Sequence, residues 1–215
     1  MVKAAYVGAE DEEIKRDYPI IPILRIRYNV IDIKKMEGNF AFTSKRGIIS
    51  LKLNGISLKP IELYCIGKAT KNKLFKYYGF PCKVPEIEDS LHLADLIIND
   101  GVKNITLVTS NQYSREMIKK LDENGIHVNI VEAYEISKNE NINPQEFCNY
   151  DSLLFGSSKS FLFTLELMGL DKLKNKKIYA IGGSTARTME AYGLKPLMTF
   201  ASPDIRKAME FIFNS

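Results

Sequence analysis

Two short motifs in this chain combine residue types that suit the binding of a negatively charged ligand. The first is YCIGKAT, from Tyr64 to Thr70, and the second is YAIGGST, from Tyr179 to Thr185. In each motif an apolar run ends in glycine, which lets the backbone turn tightly and approach a ligand. A helical pattern follows, and the first turn of a helix offers unpaired N–H groups and a positive dipole end to a carboxylate or phosphate. Thr70 and Thr185 could donate to that anion, or they could be plain N-cap or first-turn residues of the helix, and the sequence leaves these interpretations open.

Hydroxyl residues also follow three other apolar runs, NFAFTS (39–44), NITLVTS (104–110) and SLLFGSS (152–158). In parallel α/β sheets, ligands bind outside the carboxyl ends of the strands. The sequence therefore predicts a polar cleft with few strong acids or bases, which can act by holding a reactive substrate in one geometry. The candidate binding residues at these strand ends are Thr43, Ser44, Gly67, Lys68, Thr70, Thr109, Ser110, Ser157, Ser158, Gly182, Gly183, Ser184 and Thr185.

The segments that must position these residues alternate between strand-like and helical patterns, which favours an α/β fold with parallel sheets. Helical patterns include one ending at Gly125 and one predicted to begin at a Ser202–Pro203 cap and first-turn pair. The strand-like segments are residues 4–9, 21–31, 39–44, 62–67, 104–110, 127–136, 152–158 and 177–183.

The chain also repeats itself weakly. A long strand, a strand followed by hydroxyls, and a strand–Gly–x–x–Thr turn occur in this order in each half, and the alignment matches Tyr28 with Tyr134. The repeat predicts two similar α/β domains. Both long strands exceed the usual length of about 5–6 residues. We therefore expect them to cross between domains near residues 25–28 and 134–138.

Composition and missing motifs exclude several classes of protein. The 215 residues are 45% hydrophobic and 26% charged, with a net charge of only +4, so neither nucleic acid nor a membrane is expected as a partner. No signal peptide is expected, because the N-terminus turns acidic early, and this predicts a cytoplasmic protein. The three cysteines show no zinc or disulfide spacing, and no nucleotide-binding glycine motif or serine-nucleophile motif is present.

The ordered set FTSKRGI, YCIGKATKNKL, LVTSNQYSREMIKKLDENGIHVNIVEAY, LLFGSSKSF and YAIGGSTARTMEAYGLKP resembles the uroporphyrinogen-III synthase family. The resemblance extends from about Phe40 to the C-terminus. It implies two parallel-sheet α/β domains joined by a two-stranded linker, with the active site between them. Domain one would be discontinuous, with residues 1–25 and 138–215. Domain two would be residues 28–134.

The reaction implied by this resemblance is cyclisation of the linear tetrapyrrole hydroxymethylbilane to uroporphyrinogen III. Water leaves the terminal hydroxymethyl carbon, the resulting azafulvene attacks the substituted carbon of ring D, and a spiro intermediate rearranges with inversion of that ring. The family uses neither a metal nor an organic cofactor. Its substrate carries eight carboxylates, which suit helix N-termini and hydroxyls. The resemblance also implies a monomer and allows a transient contact with the preceding enzyme of the pathway.

Matching the family's motifs residue by residue implies several roles. Tyr134 would assist loss of the hydroxyl as water, although a packing role between domains stays open. Ser44, Thr70, Ser157 and the turn 182–185 would bind propionate and acetate groups. Four cations, Lys45, Arg46, Lys68 and Lys159, could add carboxylate contacts.

Three departures from the family pattern stand out. Gly156 occupies the place of a threonine, Thr109 and Ser110 are followed by no glycine, and the first strand–helix unit is short. The altered turn GSSK, which contains Gly156, keeps an alternative open. In it, the chain is a non-enzymatic two-domain protein that binds an anionic metabolite.

Overall fold

The computed structural model of the chain describes residues 2–201 and 204–215. The chain divides into two compact units: unit 1 is Met1–Arg25 with Ser137–Ser215, and unit 2 is Ile26–Ile136. The strands are β1 (Ala4–Ala9), β2 (Ile20–Tyr28), β3 (Lys35–Phe42), β4 (Ser57–Cys65), β5 (Asn104–Ser110), β6 (His127–Lys138), β7 (Ser152–Phe155), β8 (Lys177–Ile181) and β9 (Met198–Phe200). The helices are α1 (Glu12–Lys15), α2 (Lys45–Leu53), α3 (Lys68–Tyr78), α4 (Ser90–Asn99), α5 (Arg115–Glu123), α6 (Ser158–Met168), α7 (Leu170–Lys174), α8 (Gly183–Ala191) and α9 (Ile205–Phe213), with a 3₁₀ helix at Pro144–Asn149.

The sheet of unit 2 has the strand order β4-β3-β5-β6, and every pairing is parallel. The last residues of its central strand β3 are buried. Their side chains point alternately to the two faces of the sheet, as successive residues of a strand do. Phe40 and Phe42 belong to one hydrophobic cluster, while Ala41 belongs to the other. Both faces of the sheet are therefore covered, as parallel sheets require.

The sheet of unit 1 has the order β2-β1-β7-β8-β9, again with parallel pairings. All six residues of β1 are buried. Helix α9 packs Ala208, Met209 and Ile212 into a cluster with Tyr6 and Leu154. Helix α1 is only four residues long, in agreement with the short first unit predicted from the sequence.

The predicted α/β class with parallel strands is confirmed, but several element boundaries were wrong. Strand β3 begins at Lys35 and β4 at Ser57, because their polar first halves pair with each other in register from Lys35 opposite Ser57 onwards. Apolar content alone does not reveal such a ladder. Strand β2 ends at Tyr28, before the predicted end at Ile31.

The N-terminus of α9 is capped by Asp204, whose carboxylate accepts the Lys207 N–H at 3.2 Å. Ser202 and Pro203, predicted as the cap and first-turn pair, lie outside the described residues. None of the helices in the described ranges is long and apolar enough to cross a membrane.

Candidate active site

Polar residues stand where the strands of unit 2 end. Because these strands are parallel, their carboxyl ends meet at one edge of the sheet. The Thr43 hydroxyl donates to the Thr109 hydroxyl at 2.9 Å, which links the ends of β3 and β5. The structure thus brings together the predicted residues that follow β3 and end β5.

Ser44 and Ser110 already make local hydrogen bonds in this structure. Ser44 is the N-cap of α2, and its hydroxyl accepts the Arg46 N–H at 3.2 Å. Ser110 accepts the Gln112 N–H at 3.2 Å and donates to the Gln112 carbonyl. Helix α5 begins only at Arg115, with Ser114 as its cap, so Ser110 does not lie at a helix N-terminus. The loop without glycine explains this difference, because the chain does not turn directly into a helix there.

In the first repeated turn, Thr70 lies inside the helix and is not the residue at its N-cap. Gly67 is the N-cap of α3 and makes no side-chain cap, so Thr70 stands at the third helical position. Of the two structural interpretations, the N-cap is wrong and the first-turn residue agrees with the structure. Thr70 is only 4% exposed. Among the described residues its hydroxyl has no hydrogen-bond partner. Thr70 therefore keeps an uncommitted donor beside the helix N-terminus.

A carboxylate of the protein itself occupies the start of α3. The Lys68 N–H donates to Oε1 of Glu88 at 3.0 Å, as expected for an anion at a helix N-terminus. A Cβ atom on Gly67 would overlap the Glu88 carboxyl group, so a side chain here would displace Glu88 from the helix start, while the backbone itself (φ −169°) does not need glycine. Sequence reasoning missed Glu88, because it lies 20 residues further along the chain and no local motif marks it.

Tyr134 sits at a bulge in β6. The register shifts so that Thr109 pairs with Glu132 and Ser110 pairs with Tyr134, which leaves Ala133 as the extra residue. The Ala133 carbonyl accepts hydrogen bonds from the Asn29 N–H at 3.0 Å and from the buried Ser50 hydroxyl. These bonds fix the backbone immediately before Tyr134.

The Tyr134 side chain is 4% exposed and packs at the edge of a hydrophobic cluster. Its ring lies 6.5 Å from the ring of Tyr28, centroid to centroid, so the two tyrosines matched in the internal repeat contact each other. In the part of the chain that the structure describes, no group hydrogen-bonds to the Tyr134 hydroxyl. The phenol is thus held in place by packing and keeps its donor uncommitted.

Hydroxyl groups connect two turns of unit 1. Ser157 is the N-cap of α6 and forms a reciprocal capping box with Ser160. The Ser158 hydroxyl donates to the Ser184 carbonyl at 3.2 Å and accepts from Thr188 at 2.8 Å. The turn after β7 and the turn after β8 are therefore neighbours, as the sequence predicted for parallel strands.

The second repeated turn has the same register as the first but a different reason for its glycine. Gly182 is the N-cap of α8 and has φ +81°, a conformation that non-glycine residues rarely adopt. Gly183 and Ser184 are exposed, whereas Thr185 at the third helical position is 3% exposed. No side chain caps this helix, so the capping interpretation of Thr185 is also wrong.

Tyr6 explains the glycine in the turn after β7. A Cβ atom on Gly156 or on Gly8 would collide with the phenol of Tyr6, which lies on the adjacent strand β1. The Tyr6 ring thus occupies the space that a side chain at position 156 would need. The apparent loss of a threonine at Gly156 is a packing requirement, and Tyr6 is a second residue near the turns that sequence reasoning missed.

The positive charges near these turns differ in their surroundings. Lys68 is exposed, while Lys159, in the first turn of α6, is partly buried, and this desolvation lowers its pKa. An anion bound beside Lys159 would favour its charged form. Within residues 2–201 and 204–215, no group of three or more His, Cys, Asp or Glu side chains could hold a metal ion.

With this geometry established, the chain can be compared with known proteins. The family model described as "Uroporphyrinogen-III synthase HemD" matches residues 20–210. The chain belongs to the uroporphyrinogen-III synthase family. The family's function, cyclisation by a lyase in tetrapyrrole biosynthesis, is therefore the function of this chain, and the resemblance noted in the sequence is confirmed.

Similar proteins come from archaea and bacteria. A curated relative from Methanocaldococcus jannaschii, whose name refers to the same activity, is 24% identical over 202 residues and is aligned over 83% of this chain and 81% of its own length. The crystal structure of uroporphyrinogen-III synthetase from Helicobacter pylori matches with a TM-score of 0.71 at 16% identity, covering 100% of this chain and 99% of that one. A mutant uroporphyrinogen III synthase from Thermus thermophilus matches over the same shares with a TM-score of 0.63 and 16% identity. At this identity the two structures support the fold alone.

Gly156→Ala should destabilise the protein, because the added methyl group would overlap the Tyr6 phenol. Overpacking of this kind costs about 1–3 kcal/mol. Gly183→Ala is the matched control, since its Cβ would meet only the end of the Arg187 side chain at 3.3 Å. Urea unfolding should show the loss for Gly156→Ala and little change for Gly183→Ala. Equal losses would contradict the role given to Tyr6.

Glu88→Ala should destabilise the start of α3, because it removes the acceptor of the Lys68 N–H. Losing an N-terminal acceptor costs about 0.5–2 kcal/mol. The backbone amide resonance of Lys68 should move in ¹⁵N-edited NMR spectra, and its hydrogen exchange should accelerate. Glu86→Ala is the control, because Glu86 is exposed and the same charge is lost two residues away. A Lys68 amide that responds equally to both variants would show that the Glu88 contact does not persist in solution.

Proposed function

We propose that this chain carries out the family's cyclisation of hydroxymethylbilane with Tyr134 as the residue that assists departure of the leaving hydroxyl. A phenol can donate a hydrogen bond to an oxygen on which negative charge develops. As the C–O bond of the hydroxymethyl group breaks, electrons from the pyrrole ring form the azafulvene and the pyrrole N–H gives up its proton. The departing hydroxyl takes up a proton and leaves as water. The donor would act where that charge appears, which is the condition for lowering the barrier.

The surroundings of Tyr134 support this role. Its hydroxyl has no partner among the described groups, its ring is packed against Tyr28, and its backbone is fixed by the bonds to Ala133. A donor that is held in one place without an internal acceptor needs little reorganisation when it meets a substrate oxygen. Tyr134 Oη is not among the buried side-chain atoms without a partner in the described residues, so the hydroxyl keeps access to the surface, where a substrate oxygen could meet it.

The proposal assigns the substrate's carboxylates to the turns at the strand ends. In unit 2 these are the turns at Thr43–Ser44 and Gly67–Thr70, together with Ser110. In unit 1 they are the turns at Ser157–Ser158 and Gly182–Thr185. The uncapped N-terminus of α8 and the buried Thr70 and Thr185 support this assignment, because no side chain of the N-cap satisfies the first N–H groups of α8. At α3 a substrate carboxylate would compete with Glu88 for the Lys68 N–H.

The proposal also includes the two-domain arrangement predicted from the sequence. One substrate molecule would contact turns of both units, and β2 and β6, which run through the unit boundaries, would serve as the linker. The enzyme would be monomeric and cytoplasmic, and the bilane would need no cofactor for this step.

Turnover of the bilane tests the function directly. Hydroxymethylbilane generated in situ should be converted to uroporphyrinogen III, because the enzyme directs attack to the substituted carbon of ring D. The oxidised products are separated by chromatography as isomers I and III. Spontaneous closure gives isomer I, so a product that contains only isomer I would refute the proposal and favour the anion-binding alternative.

Tyr134→Phe should lower turnover at least 10-fold and leave stability within about 0.5 kcal/mol, because it removes one uncommitted donor and no packing. Tyr78→Phe should do the reverse. Its hydroxyl donates to the Ile56 carbonyl at 3.0 Å, so its loss should cost about 1 kcal/mol without affecting turnover per folded molecule. Rates at saturating bilane and urea unfolding would be measured for both variants. Unchanged turnover in Tyr134→Phe would make Tyr134 a packing residue.

A further inference from the structure

Two cysteines that are distant in sequence lie next to each other in unit 2. The Cys65 N–H donates to the Lys83 carbonyl at 2.9 Å, and the Lys83 N–H donates to the Leu63 carbonyl at 2.8 Å. Tyr64 and Lys83 form a parallel bridge, so the segment that carries Cys82 runs briefly beside the end of β4. Cys65 belongs to the hydrophobic cluster of this unit, and Cys82 packs against the same cluster.

The two thiol side chains pack in the same hydrophobic cluster, where they influence each other's protonation. The hydrogen bond between them raises the pKa of Cys65, which burial raises further, and the same bond lowers the pKa of Cys82. The nearby Lys71 ammonium also favours the thiolate of Cys82. Because the thiolate is the reactive form, Cys82 is the more nucleophilic of the two.

Cys82, the more nucleophilic of the two cysteines, is also the more exposed. Cys65 is fully buried, whereas Cys82 is half-buried and lines a surface pocket of about 410 Å³ together with Pro60, Phe80 and Pro81. A small reagent can therefore reach Cys82 from the pocket, whereas Cys65 is buried. This is the arrangement of an attacking cysteine with a resolving partner behind it.

We propose that Cys65 and Cys82 form a site of reversible oxidation by peroxide. The Cys82 thiolate attacks one peroxide oxygen, the O–O bond breaks, and the second oxygen leaves as hydroxide, which takes up a proton to become water. The Cys65 thiol then attacks the sulfur of the resulting sulfenic acid, the S–S bond forms, and a second water leaves. Two electrons pass from the thiols to the peroxide, and a dithiol returns them on reduction. Because Cys65 and Cys82 lie on adjacent backbone segments and pack in one cluster, reaching the S–S length of about 2.05 Å requires only local movement.

Oxidation at this site would act on the first repeated turn. The segment between Cys65 and Cys82 contains all of α3, including Gly67, Lys68 and Thr70. A disulfide would tie both ends of this segment together and restrict the turn. The effect on turnover rests on the proposed function, whereas formation of the bond does not.

Intact-protein mass spectrometry tests bond formation. The full chain is treated with hydrogen peroxide, free thiols are blocked with N-ethylmaleimide, and the mass and tryptic peptides are recorded without reduction. We expect one blocked thiol, at Cys148, and a cross-linked pair of peptides that contain Cys65 and Cys82. Cys148→Ser is the matched control and should still form the bond, since Cys148 is exposed and lies in the 3₁₀ helix. Cys82→Ser should not form it.

Two outcomes would overturn the proposal. One is that Cys65 and Cys82 are both blocked by N-ethylmaleimide after denaturation of the treated protein. The other is that Cys82 gains two oxygens as sulfinic acid without cross-linking to Cys65. Dithiothreitol should restore the starting mass of the cross-linked protein.

Measuring bilane turnover then tests whether the disulfide, by restricting the first repeated turn, lowers activity. Peroxide should reduce turnover at least 3-fold in the unmodified chain and in Cys148→Ser, dithiothreitol should restore it, and Cys82→Ser should not respond. Cross-linked protein with unchanged turnover would overturn the proposed effect on the turn. If the chain produced no isomer III at all, the mass measurement would still decide whether the site exists.

Discussion

Parallel pairing of β3 with both β4 and β5 is the constraint on which the candidate site depends. Parallel strands deliver all their carboxyl ends to one edge of the sheet, and the helices that follow β3 and β4 begin there with N–H groups that have no intrahelical partner. The buried residues Phe40, Phe42 and Leu107 fix this sheet between two hydrophobic clusters. The polar turns therefore lie on a rigid support, although their own sequences are short and unspecific.

The two repeated turns share one sequence pattern, but their glycines have different physical roles. At Gly67 the absence of a side chain makes room for the Glu88 carboxylate, which is bound by the Lys68 N–H. At Gly182 the absence of a side chain permits a positive φ, and the helix start carries no internal anion among the described residues. A carboxylate bound by the protein itself shows the kind of group that the start of α3 accepts.

Tyr134 combines features that usually exclude each other. It is nearly fully buried, yet its hydroxyl has no partner among the described residues, and the backbone before it is held by two hydrogen bonds to a bulge. A bulge re-aims the side chains of a strand, and bulges are frequent next to active sites. The same strand would otherwise place consecutive residues on strictly alternating faces. The bulge is thus the local device that decides where the phenol lies.

The sequence by itself determined the α/β class, the order of most elements, the repeated turns and the family, because apolar periodicity, glycine and hydroxyl residues leave local and ordered signals. The sequence could not decide whether Thr70 and Thr185 are helix caps or third residues of their helices, since threonine is compatible with both positions. Only the tertiary structure revealed Glu88 at the start of α3, Tyr6 against Gly156, and Cys82 beside Cys65. These contacts join residues that are far apart in the chain. They depend on how strands and loops pack in space, and no short-range pattern encodes that packing.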